Sequence, residues 1–139
     1  MNKFFLVTLA FLGFSVTAMA QSNFDPYSVK PTFGPNCPAK NLDQAQFFID
    51  LSLNTDIASK AKKKCGWPET NPADSAKYEL FAHSMVINCY GNPNADKIES
   101  ALQQFADTQT NNCSSQNMQS FKGEYYARLK NANNGFRAK

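Results

Sequence analysis

Apolar residues recur three and four positions apart along most of this chain, and glycine and Asn-Pro mark the places where that rhythm stops. Starting at Asn41, the positions Leu42, Ala45, Ile49, Leu53 and Ile57 keep helical spacing, with Asn41 placed to cap and Asp43 in the positive first turn. This run ends at Cys65-Gly66, because glycine accepts the left-handed conformation past a helix end and Pro68 blocks continuation. Asn71-Pro72-Ala73-Asp74 begins a second helix, in which Tyr78, Phe81, Ala82, Met85, Val86 and Cys89 share a face that ends at Gly91. The same punctuation returns at once. Asn92 is placed to cap, Pro93 to begin and Asp96 to sit in the first turn, ahead of a stripe of Ala95, Ile98, Ala101, Leu102, Phe105 and Ala106. After Cys113, Ser114 or Ser115 caps a fourth helix with Met118, Phe121, Tyr125 and Leu129 on its apolar side, weakened by roughly 1 kcal/mol at Gly123.

Asn54-Thr55-Asp56 interrupts the first helix with three poor helix formers, which predicts a kink, or a restart that makes five helices rather than four. Pro26, Pro31, Pro35 and Pro38 fill the stretch 21–40, which therefore reads as an extended arm whose aromatics Phe24, Tyr27 and Phe33 rest on the core surface. The segment 131–139 is expected to fray. No window alternates apolar and polar positions with β-branched residues, so the fold class is all-α, with a helical domain over 41–130.

Helices joined by short turns favour an up-down-up-down bundle, and the cysteines fit its two poles. Cys65 and Cys113 share the pole where helix one ends and helix three ends. Cys37 precedes helix one at the opposite pole, where helix two ends in Cys89. Because a disulfide needs Cα atoms within about 7 Å, bridges between poles are excluded, leaving Cys37 to Cys89 and Cys65 to Cys113. Zinc is a poor alternative for these thiols, since no two cysteines lie closer than 24 residues and His83 is the only histidine.

Charge and the first residues add where the protein works. Lys3 precedes an apolar run from Phe4 to Phe14, and Ala18-Met19-Ala20 forms a small-residue cleavage site, so 1–20 reads as a signal peptide and the product as secreted, extracellular or, in a bacterium, periplasmic. No later segment is long and apolar enough to span a bilayer. Losing Lys3 with the leader lowers the formal charge from +3 to +2, too small a bias to argue for nucleic acid. Lys60, Lys62, Lys63 and Lys64 fall in the last turn of helix one, where cations oppose the dipole, and this accounts for the cluster without a phosphate ligand.

Helix two carries a second line, Ala76, Leu80, His83 and Ile87, opposite its main stripe. Such a helix is either sandwiched at the centre of the fold, the commoner use of aliphatic residues, or exposes one face to a partner. For catalysis the inventory is thin. His83 cannot reach the adjacent Ser84 around the helix, the carboxylates are scattered, and no phosphate loop or metal-ligand cluster is visible. No cofactor and no metal are expected. The sequence therefore points to an exported, non-enzymatic protein that binds another protein, of inhibitor, immunity or secreted-effector type, through Trp67, the line from Ala76 to Ile87, and Phe24, Tyr27 and Phe33 of the arm, with Trp67 equally placed to close over a bundle end instead. The alternative is a carrier of small hydrophobic ligands held between helices.

Overall fold

The computed structural model describes residues 24–131. The leader expected at 1–20 and all but the first residue of the tail expected at 131–139 lie outside them. Four helices, α1 (Leu42–Lys64), α2 (Pro72–Tyr90), α3 (Asn92–Gln109) and α4 (Gln116–Lys130), form an all-helical bundle, preceded by a single 3₁₀ turn at Pro26–Ser28.

Local chemistry sets most of the ends. Asn41 caps α1 by accepting from the Gln44 amide, Asn71 caps α2 by accepting from Ala73 and Asp74, and Ser115 caps α4 by accepting from Met118. Gly66 follows α1 with φ +70, the left-handed geometry a side chain would disfavour. Asn92, in contrast, does not cap α3. It is the first helical residue, because Gly91 alone serves as both the end of α2 and the start of α3, and no side chain caps that start.

Asn54-Thr55-Asp56 neither kinks nor restarts the first helix. The α1 helix runs unbroken for 23 residues, and these three residues are buried, with other helices supplying partners to Asn54 and Asp56 while Thr55 bonds back within α1. Asn54 Oδ1 accepts from the Tyr78 hydroxyl of α2, Thr55 Oγ1 donates back to the Ser52 carbonyl, and Asp56 Oδ1 accepts from Gln103 of α3. The central helix is α1, which packs more extensively than any other helix against the remaining three. Helix two does not occupy the middle: Leu80 is 69% exposed and Ile87 43%.

Each bridge lies within one of the two poles that the helix count implied. Cys37 pairs with Cys89 at a Cα separation of 4.7 Å and Cys65 with Cys113 at 5.4 Å, with no free thiol among the described residues. Such bonds persist in oxidising compartments, and among the described residues no helix is long and apolar enough to cross a membrane.

The arm is ordered by contacts with the bundle and departs from a wholly extended course at the 3₁₀ turn, where Asp25 accepts from the Tyr27 amide ahead of a proline in its first position. Tyr27 donates its hydroxyl to Asp50, and Gln46 Nε2 donates to the Tyr27 carbonyl. Further along, the amides of Thr32 and Phe33 both donate to the Cys89 carbonyl, at 2.8 and 3.1 Å. Gly34 fits there because a Cβ at that position would lie 2.7 Å from the Asn88 carbonyl oxygen. The disulfide, the two amides and this glycine fasten the arm to the C-terminal end of α2.

Candidate functional site

Two features of α2 stand out, one apolar and outward, the other polar and turned toward α1 and α3. The outward feature is the line of Ala76, Leu80 and Ile87, all exposed. Its packed opposite face consists of Tyr78, Ala82, Val86 and Cys89. Phe33 extends the line, since its amide bond to the Cys89 carbonyl sets it at the end of α2, and its side chain stays 43% exposed. Phe33 also holds a left-handed backbone with φ +51, which is strained for a bulky residue and persists only where surroundings over-determine it.

The other members of the sequence-derived surface divide. Phe24 and Tyr27 are half-buried against the core. Trp67 is 5% exposed and is no surface anchor. Its ring closes over the end of the bundle with centroids 6.4 Å from Tyr125 and 6.1 Å from Tyr126, because Gly66 turns the chain back so that the Trp67 amide reaches the Ala61 carbonyl. The last-turn lysines neutralise neighbours as well as the helix dipole. Lys60 and Lys64 both approach Asp107 of α3, and Lys62 pairs with Glu69 and donates to Tyr125.

His83 breaks the apolar line and belongs to the polar feature. It is half-buried, and three helices converge on it. Ser52 of α1 donates its hydroxyl to Glu99 Oε2 of α3 at 2.6 Å, and His83 Nδ1 lies 3.0 Å from that hydroxyl and 2.9 Å from the same carboxylate. The serine proton is committed to Glu99, so Nδ1 faces acceptors only and must itself carry hydrogen. In the neutral ring, the Nε2 lone pair is then left facing Asp56 Oδ1 at 3.6 Å and Glu79 Oε2 at 3.7 Å.

Asp56 is the least expected member. It is 1% exposed, Oδ1 accepts from Gln103 at 3.0 Å, and Oδ2 is buried with no hydrogen-bond partner among the described residues. Burial, reinforced by the Glu99 carboxylate and only partly opposed by His83, pushes its pKa up to about 8. Burial also works against a proton on His83, but the Glu99 hydrogen bond and the charges of Glu99, Asp56 and Glu79 outweigh it and raise the imidazole pKa.

The juxtaposition of serine, histidine and carboxylate is not arranged as a nucleophile. Ser52 is fully buried and gives its proton to a carboxylate rather than to the imidazole. Glu79 and His83, four apart on α2, were open to recognition as neighbours on one helix face. Asp56 was hidden because it comes from another helix, although an aspartate amid apolar positions calls for a partner.

Two surface grooves of about 340 Å³ each adjoin the cluster. One is bounded by Thr55, Lys62, Ser75, Ala76, Glu79 and Tyr125, the other by Asp56, Lys60, Lys64, Glu79 and Gln103, and Ser59, Lys63 and Glu79 line both. Comparison of the chain with protein-family models, with curated proteins and with solved structures finds no match.

Proposed function

We propose that this is an exported, non-enzymatic domain that binds another protein through the outward line of α2 and the adjoining Phe33. One observation carries the reading. Of the four exposed large hydrophobic residues among those described, Leu80 and Ile87 lie on one face of α2 and Phe33 stands at its end, the fourth being Leu42. Scattered exposed aliphatics need no explanation, but an aligned set flanked by a strained aromatic does. Rigid aromatic and aliphatic anchors on a disulfide-fastened frame lose little conformational freedom on binding, which favours affinity.

The partner is a protein surface offering apolar side chains to this line and carboxylates to its N-terminal end. There Ala76 shares a groove with Lys62 and Lys63, and Lys63 pairs with no carboxylate among the described residues. The two grooves are lined largely by hydroxyls and charges, which supports a protein-binding surface over a carrier of hydrophobic ligands. The leader expected at 1–20 supports export.

Site-specific photocrosslinking tests the surface. With a photoreactive residue in place of Leu80, the mature protein added to its native extracellular or periplasmic fluid is expected to form a discrete adduct with another protein. The same residue in place of Ser120, on the exposed face of α4, is expected to form none. Equal labelling from both positions, or adducts only between copies of this chain, would count against the proposal.

A further inference from the structure

We propose that Asp56, Glu79 and His83 form a binding site for one divalent cation of the zinc class, with Glu99 as the residue that orients the imidazole. The inference goes beyond the protein-binding surface and stands on different atoms. One ligand atom from each of the three residues lies within 4.8 Å of the other two. The separations of 3.6 and 3.7 Å from His83 Nε2 to the two carboxylate oxygens are too long for good hydrogen bonds. With metal–ligand bonds of about 2.1 Å they correspond to ligand angles of roughly 120°, slightly opened from tetrahedral. Closing the set falls to Glu79, whose side chain is half exposed and can swing, while Asp56 and His83 are held by the packing of α1 against α2.

Two further observations point to a cation rather than to a chance gathering of acids. Asp56 Oδ2 is buried with no hydrogen-bond partner among the described residues, an arrangement that costs free energy unless a proton or a cation completes it, and Oδ1 of the same carboxyl faces His83 Nε2. His83 is set up as a ligand. A carboxylate accepting from one imidazole nitrogen fixes the tautomer and makes the other nitrogen the donor to metal, which is the role of Glu99 here. The set of one imidazole and two carboxylates suits a borderline first-row dication better than calcium or magnesium, which favour oxygen alone. Asp56 and Glu79 line one groove, so water can complete the coordination from that side. Of the lysines lining that groove, Lys60 and Lys64 are drawn to Asp107, at 2.9 and 3.8 Å, and Lys63 is exposed.

The test uses mature, disulfide-intact protein without a polyhistidine tag, titrated with zinc sulfate and followed by long-range proton–nitrogen correlation of the imidazole. His83 is the only histidine, so each ring nitrogen gives a single signal. The expected result is a shift of Nε2 that saturates at one equivalent while Nδ1 keeps its proton. Glu79→Gln should weaken zinc binding at least about tenfold, and Glu99→Gln, which loosens the imidazole without removing a ligand, by about 10- to 100-fold. Both variants change the side chain by one atom, and their melting in chelator serves as the folding control. No Nε2 shift in excess zinc, coordination through Nδ1, or wild-type affinity in a folded Glu79→Gln protein would each overturn the assignment.

Discussion

Replacing Asp56 with asparagine isolates the contribution of a carboxyl that the fold holds among Glu79 and His83 of α2, Glu99 and Gln103 of α3 and Lys60 of its own helix. In the unfolded chain this group loses its proton near pH 4, whereas in the bundle its pKa is raised to about 8. Between those values the native state holds one proton more than the unfolded state, so stability falls as pH rises, by about 1.4 kcal/mol per pH unit. From pH 5 to pH 7 the loss is roughly 3 kcal/mol, a large share of the stability of a small domain and about 10 °C in Tm. His83 acts in the same sense: its raised pKa contributes stability that is complete below its unfolded value near 6.5 and is lost as pH climbs through the folded value. Glu69 and Asp107, whose pKa values are lowered, act in the opposite sense but below this window. Urea denaturation of wild type and Asp56→Asn at pH 5, 6 and 7, in chelator, measures the difference. The two proteins should match within about 1 kcal/mol at pH 5 and diverge by pH 7, with the variant the more stable. Wild type as stable at pH 7 as at pH 5, or an undiminished slope in the variant, would refute the reasoning.

Trp67→Ala should cost about 3–5 kcal/mol in denaturant unfolding, as expected of an aromatic removed from a core, and should weaken partner binding only so far as it unfolds the protein. Removing either disulfide with paired Cys→Ser changes should cost about 4 kcal/mol in the same assay, since each closes a loop of some fifty residues, 52 for Cys37 to Cys89 and 48 for Cys65 to Cys113. Loss of Cys37 to Cys89 should in addition speed hydrogen exchange at the Thr32 and Phe33 amides, whose acceptor is the Cys89 carbonyl, while loss of Cys65 to Cys113 should leave them protected.

The frame of this protein was legible because helix ends are written in local chemistry. Asn41, Gly66 and Asn71 act through backbone geometry that needs no knowledge of the rest of the chain, and counting the resulting helices placed the four thiols by pole. Properties that depend on which helix lies in the middle were not legible. Near Asn54 and Asp56 the sequence reads as a weak point, because propensity counts a buried polar residue as a cost. The fold makes the same stretch an enclosed part of α1, since Tyr78 and Gln103 arrive from other helices to donate to Asn54 Oδ1 and Asp56 Oδ1. Beyond the Glu79 and His83 pair, the cluster was invisible for the same reason: Ser52, Asp56 and Glu99 reach the imidazole only once α1, α2 and α3 are packed. Trp67 was open to two roles, since a tryptophan beside a turn can face outward or fold back over the bundle end, and only the position of Tyr125 and Tyr126 decides between them.

The claim that the outward line of α2 receives a protein partner is tested most directly by the affinity of the double variant Leu80→Glu, Ile87→Glu for the protein crosslinked at position 80. Both side chains are exposed, so thermal melting should stay close to wild type. Affinity should fall by roughly 30-fold or more, equivalent to about 2 kcal/mol for two anchors removed and two charges placed in their seats. Unchanged affinity in a variant that melts like wild type would contradict the account.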